Sequence, residues 1–128
     1  DPVLREDSRN LHRTPFRWPD AVRRTVPGTV QQRIWDGLRQ LESLRAQEPA
    51  FGPGVPVTTW DSHNNRVLAL IRRRSGGRLG CLFNFSGESA PYALDAVEGS
   101  FTDLFTGEAV SCAAGTLEPY QYRLCREG

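Results

Sequence analysis

The residues best equipped for chemistry stand at the start of the chain: Asp7-Ser8-Arg9, then Leu11-His12-Arg13-Thr14-Pro15-Phe16-Arg17-Trp18. A guanidinium presents planar donors that can hold a carboxylate and a hydroxyl together, which the point charge of a lysine cannot do. His12 adds a ring nitrogen, and Phe16 and Trp18 add ring faces. This is equipment for binding, with no group to break a bond. Each residue also has a plainer reading: Arg13 as a surface arginine, His12 as a loop hydrogen-bonding residue, Phe16 and Trp18 as packing anchors. Cys81, Cys112 and Cys125 are odd in number and widely spaced. A zinc site or a disulfide framework needs closer spacing and more ligands, so no metal site is expected. Buried, free thiols in a reducing compartment are expected instead. A catalytic cysteine would need a partner histidine, and none is clearly paired.

The elements that must position this run follow it. Residues 1–28 are expected as an extended loop, punctuated by Pro2, Pro15, Pro19 and Pro27, with a short helical turn over Asp20–Thr25. A loop that long is often functional. Thr29–Gln47 is expected as a helix, because Thr29 with Gln32 makes a capping-box pattern. Val30, Ile34, Leu38, Leu41 and Leu44 recur at helical spacing, with Trp35 beside them. Gly37 inside the helix reflects either close approach of another backbone or simple tolerance. From Val55 the period becomes two. Strands are expected at Val57–Trp60, Val67–Arg72, Arg78–Phe85, Tyr92–Leu94, Phe101–Phe105, Ala109–Cys112, Thr116–Leu117 and Tyr120–Cys125. Hairpin signals are Ser75-Gly76-Gly77 and Thr106-Gly107-Glu108, and Arg72-Arg73-Arg74 is expected as a solvated hairpin tip. Short strands at this spacing indicate an antiparallel sandwich.

A chain of 128 residues can bury a real core. Its formal charge of +1 gives no electrostatic reason to expect nucleic acid or membrane as a partner. All sixteen basic residues are arginine, a bias expected of a GC-rich bacterial genome, and the expected location is the bacterial cytoplasm. No apolar run has membrane-spanning length and no signal-peptide pattern opens the chain. The absence of methionine and the start at Asp1-Pro2-Val3-Leu4 suggest a piece of a longer protein, or removal of a tag.

Several segments carry a family resemblance. Gly37-Leu38-Arg39-Gln40-Leu41-Glu42-Ser43-Leu44-Arg45, followed by Glu48-Pro49-Ala50-Phe51, resembles the last barrel helix of the α-amylase superfamily, glycoside hydrolase family 13. Leu82-Phe83-Asn84-Phe85-Ser86, Asp103-Leu104-Phe105-Thr106-Gly107-Glu108 and Leu117-Glu118-Pro119-Tyr120 resemble successive markers of that superfamily's C-terminal β-sandwich. Asp7-Ser8-Arg9 with His12-Arg13 resembles the loop of bacterial sucrose hydrolases and amylosucrases, although the latter usually place proline where Thr14 stands. Arg13-Thr14-Pro15-Phe16-Arg17-Trp18 also resembles the loop of oligo-1,6-glucosidases, sucrose isomerases and trehalose synthases.

The resemblance implies an α+β fragment. Residues 1–50 would be the final loop and last helix of a (β/α)8 barrel, and residues 51–128 the antiparallel sandwich. It implies that Arg13 pairs with an aspartate from the rest of the parent enzyme and closes a glucose pocket, with His12 and Phe16 as further substrate contacts. Trp35 would be barrel packing. The implied chemistry is retaining glucosyl transfer on sucrose or an α-glucoside, without a cofactor. It needs two carboxylates about 5–5.5 Å apart, borne on middle barrel strands. No acid of this chain matches them, so no catalytic residue is expected here and the chain alone should be inactive. Two other functions remain open: a carbohydrate-binding sandwich, to which Trp60 and His63 could contribute, or a purely structural domain. The first predicts coplanar exposed rings on one sandwich face; the second predicts none.

Overall fold

Two short 3-10 helices, one long α-helix and eight short strands make up the described residues of a computed structural model, which are 15–74, 76–95 and 97–128. The chain divides into two compact units, Asp1–Glu42 and Ser43–Gly128.

In the first unit the 3-10 helix spans Trp18–Thr25, two residues earlier than the sequence suggests. Pro19 stands in its first turn, where a missing N–H removes no helical bond. The α-helix α1 spans Val30–Gln47 and crosses the division between the units, so that its last turn belongs to the second. Thr29 caps it: Thr29 Oγ1 accepts from Gln32 N at 3.1 Å. The Gln32 side chain reaches back one residue further than a capping box requires and accepts from Gly28 N at 3.1 Å. Gly28 has φ +79°, a conformation glycine adopts without a Cβ penalty. Neither helix buries a residue, and Val30, Ile34, Leu38 and Leu41 are between 37% and 58% exposed. A Cβ at Gly37 would meet nothing within 4 Å, so close backbone approach does not explain that glycine.

The second unit is an antiparallel sandwich. Its strands are β1 (Val57–Trp60), β2 (Val67–Arg74), β3 (Gly77–Asn84), β4 (Ala90–Ala93), β5 (Phe101–Asp103), β6 (Ala109–Val110), β7 (Ala114–Leu117) and β8 (Tyr122–Glu127). Six of them form a sheet in the order β1-β2-β3-β8-β5-β6, and β4 pairs with β7 in a second sheet. Alternation sorts the side chains. Val67, Ala69, Leu82, Phe101 and Cys125 of the large sheet meet Ala90, Tyr92 and Leu117 of the small one in the main core. The opposite face of the large sheet carries Leu79, Cys81 and Leu124, which pack with Leu44, Ala50, Phe51, Leu104 and Phe105. Residues from the end of α1 and the 3-10 turn Pro49–Phe51 thus belong to a second, smaller core. Central strands bury both faces, which is why β3 and β8 look more apolar than a strict alternation would.

Three sequence expectations need correction. The strand expected at Phe101–Phe105 ends at Asp103, because the Asp103 carboxylate accepts from Phe105 N at 2.8 Å and Thr106 N at 3.2 Å and bends the chain. Tyr120 has φ +56° and lies in a turn, so β8 begins at Tyr122. Arg72 is not part of a solvated tip. Its side chain is half-buried, donates from Nη2 to Gly52 O at 3.2 Å and Val55 O at 3.1 Å, and lies 6.0 Å from the Phe51 ring centroid.

Arg78 clamps the first residues of β3 to the end of β8. Glu127 Oε2 accepts from Arg78 N and Nε, each at 2.9 Å, and Glu127 Oε1 accepts from Nη2 at 2.5 Å. The hydrogen bond from Arg78 is the main reason that the Glu127 carboxyl lies below its ordinary value of 4.5. A carboxyl depressed in the folded state contributes stability above its unfolded value and loses it as pH falls through the folded one. Glu127→Gln should therefore lower Tm at pH 7, and the gap to the parent protein should close as pH drops below about 4.5. Thermal melts between pH 7 and pH 2.5 check this; a gap independent of pH would refute it.

Candidate functional site

His12 and Arg13, the two residues expected to contact substrate most directly, lie outside the described residues. Phe16 is described and stands in the open, 60% exposed, with its ring edge-on to Trp18 at 5.3 Å and 85°. The two rings form one wall of a cleft of roughly 520 Å³ whose other walls are the 3-10 helix and the first turns of α1. Trp35 of α1 also lines it. The Arg24 guanidinium lies over the Trp35 ring at 5.2 Å and is held by a bond from Nη1 to Ala21 O at 2.7 Å. Arg39 approaches the same ring at 6.0 Å. Asp20 adds a carboxylate, 3.7 Å from Arg17 Nε. The barrel packing expected of Trp35 has no barrel among the described residues to meet, and the sequence does not itself indicate this grouping. The one related signal is the position of Trp35 on the helix, off the line of Val30, Ile34, Leu38 and Leu41.

The sandwich carries polar side chains that build structure. Asn84, almost fully buried, donates from Nδ2 to Glu88 O at 2.7 Å, Glu118 O at 2.9 Å and Leu117 O at 3.3 Å. Its Oδ1 accepts from Ser86 N at 3.0 Å and Ser86 Oγ at 2.8 Å. Asp103, also buried, stabilises the turn described above, and Arg123 Nε stands 3.8 Å from its Oδ2. Trp60 is half-buried and packs on the main core, its ring 3.5 Å from where a Gly80 Cβ would sit. His63 is exposed, with φ +51°; its Nε2 lies 3.0 Å from Asp95 Oδ2 and its Nδ1 3.7 Å from Asp61 Oδ2. The Asp95 hydrogen bond first, then the Asp61 charge, raises the His63 pKa above its ordinary value.

All three cysteines are free and buried. Burial pushes the Cys81 thiol up to about 11, which leaves little nucleophilic thiolate at neutral pH. Cys125 is raised by its hydrogen bond to Cys112 and then by burial. Among the described residues no group of three or more His, Cys, Asp or Glu is placed to hold a metal ion, and no helix is long and apolar enough to cross a membrane.

Of the sandwich rings, Phe85, Tyr120 and Tyr122 are exposed, whereas Phe83 and Phe105 are partly buried against the smaller core. Phe83 and Phe85 are tilted by 32° at 6.1 Å, and Phe105 meets Tyr122 at 73° and 5.4 Å.

The second unit has the fold of an antiparallel β-sandwich, and its buried polar groups fasten turns. Residues 68–127 match the family model described as the β-galactosidase C-terminal domain. The fold is shared with AmyP, solved in complex with maltose, at TM-score 0.66 and 22% identity over 80% of this chain and 22% of that one. It is shared as well with the trehalulose synthase MutB from crystals soaked with trehalulose, at TM-score 0.58 and 21% identity over 73% of this chain and 18% of that one. A MutB mutant in complex with the substrate sucrose matches at TM-score 0.57 and 21% identity, over 73% and 17% of the respective chains. The chain thus spans about a fifth of the length of the solved chains it matches.

Proposed function

We propose that this chain is the C-terminal part of a retaining α-glucosyl enzyme of the α-amylase superfamily that acts on sucrose, as a sucrose hydrolase or an amylosucrase. Residues 1–50 would complete a (β/α)8 barrel and residues 51–128 would form the supporting sandwich. The observation that carries this reading is the reach of the structural likeness. Eighty per cent of this chain is more than residues 57–127 contain, so the likeness to AmyP extends into residues before β1. It therefore takes in more than a sandwich, a kind of fold that unrelated proteins share. The exposed apolar stripe of α1 supports the same reading. Burying side chains such as Ile34, Leu38 and Leu41 is worth roughly 1.5–3 kcal/mol each, which a barrel would supply.

In this reading the nucleophile and the acid/base lie on barrel strands outside residues 1–128. Arg13 closes the glucose pocket by pairing with a carboxylate of the parent enzyme, and His12 and Phe16 line it. Trp60, Phe83 and Phe105 pack on the cores of the sandwich, which favours a supporting sandwich over a carbohydrate-binding module. An α-glucosidase, sucrose isomerase or trehalose synthase of the same superfamily would use the same parts with another acceptor or substrate.

The test is an assay of the longer protein that contains this chain, beside the chain alone. The longer protein should release glucose or transfer glucosyl units from sucrose, and the purified 128-residue chain should do neither. Sucrose cleavage by the short chain, or a longer protein inert on sucrose and on α-glucosides, would overturn the proposal.

A further inference from the structure

Cys112 and Cys125 lie in the main core, apart from every group assigned to glucosyl transfer. Cys125 of β8 stands opposite Gly80 of β3, and residues paired across two strands share a face. That face is the one turned toward the small sheet, since Leu82, two residues along β3, packs in the main core with Cys125. Gly80 has no side chain, and the Cys112 sulfur fills the space above it, 3.3 Å from where a Gly80 Cβ would stand. Directly paired Cβ positions are about 4.5–5.5 Å apart, so the missing side chain lets the Cys112 thiol settle beside Cys125. The Cys125 S–H donates a hydrogen bond to the Cys112 sulfur.

The pair is unsymmetrical. That hydrogen bond, aided by the charges of Arg123 and Arg78, holds the Cys112 thiol below its ordinary value against burial and the Asp103 charge. The same bond, and then burial, holds the Cys125 thiol above it. Both residues are buried, 1% and 0% exposed, so a reagent reaches them only through a local opening. The sheet edge supplies one. Cys112 stands between β6 and β7, and β6 is an edge strand of two residues, paired with β5 at Phe101 with Val110 and Thr102 with Ala109. So short an edge opens at less cost than the core as a whole.

We propose that Cys112 and Cys125 are a peroxide-sensitive dithiol that closes to a disulfide, with Cys112 as the attacking sulfur and Cys125 as the resolving one. The Cys112 thiolate attacks one oxygen of hydrogen peroxide and the O–O bond breaks. The sulfur becomes a sulfenic acid, and the departing hydroxide leaves as water with the proton of the thiol. The Cys125 sulfur then attacks the sulfenic sulfur, the S–O bond breaks, and a second water leaves with the Cys125 proton. Two electrons pass from the sulfurs to the peroxide. The sulfurs close from hydrogen-bond contact to about 2 Å, a shift that the short edge strand absorbs. None of this rests on the parent function proposed above.

The test exposes the folded 128-residue chain to hydrogen peroxide, then blocks free thiols with a maleimide in denaturant. Cleavage after arginine and glutamate puts Cys81, Cys112 and Cys125 on separate peptides. The Cys112 and Cys125 peptides should appear linked, and the link should vanish on reduction with dithiothreitol, while Cys81 carries maleimide. Cys125→Ala should stop at a sulfenic acid on Cys112, trapped by dimedone. Cys112→Ala should leave Cys125 a free thiol, and Cys81→Ala should crosslink at the parent's rate. Near-UV circular dichroism confirms that each variant is folded, and the unmutated chain decides the matter if one is not. Absence of the Cys112–Cys125 link, an equal yield of links to Cys81, or a link formed only in urea would overturn the proposal. Dimedone on Cys125 in folded Cys112→Ala would overturn the assignment of the attacking sulfur.

Discussion

Asn84→Ala should destabilise the sandwich by about 3 kcal/mol, the cost of stranding several buried partners at once. The side chain it removes joins three segments: it donates to the carbonyls of Glu88, Leu117 and Glu118 and accepts from the Ser86 backbone and hydroxyl. Water cannot replace it readily, because Asn84 is only 3% exposed. Asn84→Asp keeps the shape and should be no better tolerated, since a carboxylate cannot donate to three carbonyl oxygens. Urea unfolding of the two variants measures the effect, and the corresponding fall in Tm is about 12–20 °C. A loss under 1 kcal/mol for both would show that the network is decorative. The segment Leu82-Phe83-Asn84-Phe85-Ser86 stands out in the sequence, and this network is a physical reason for an asparagine in it.

The largest effect on activity is expected from Arg13. In the sucrose-active parent enzyme proposed above, Arg13→Ala should lower kcat/KM on sucrose by a factor of about 100 to 1,000. Removing one partner of a buried ion pair costs about 3–5 kcal/mol and leaves the opposing carboxylate uncompensated. Arg13→Lys should recover little, because a single ammonium cannot hold a carboxylate and a sugar hydroxyl in one plane. The Tm of both variants should stay near that of the parent, which separates a pocket role from a folding role. Near-normal kinetics in Arg13→Ala would remove Arg13 from the pocket.

Much of the architecture was legible because its signals are local. The spacing of Val30, Ile34, Leu38 and Leu41 and the Thr29 cap specify α1 from residues a turn apart. Period-two alternation and the Gly76-Gly77 turn specify the β2–β3 hairpin in the same way. The candidate site was legible only in part. Arg13, His12 and Phe16 stand out through residue types and a family resemblance, and of the three only Phe16 lies among the described residues. The meeting of Trp35 with Arg24 joins two helices across a turn, and no sequence period encodes that distance.

What the sequence by itself determined, then, is which stretches turn, which extend and which face of each is apolar, because propensity, capping and periodicity act within a few residues. Only the tertiary structure decided what the polar residues are for. Arg72 looks in sequence like one charge in a solvated run, yet it is half-buried because Gly52 and Val55, far away along the chain, bring it carbonyl partners. Asn84 looks like an ordinary turn former, yet it is buried where Leu117 and Glu118, far along the chain, bring it carbonyl partners. A buried polar group is costly unless it is hydrogen-bonded, and for Asn84 and Arg72 the partners come from backbone far away along the chain, which only the folded state brings near.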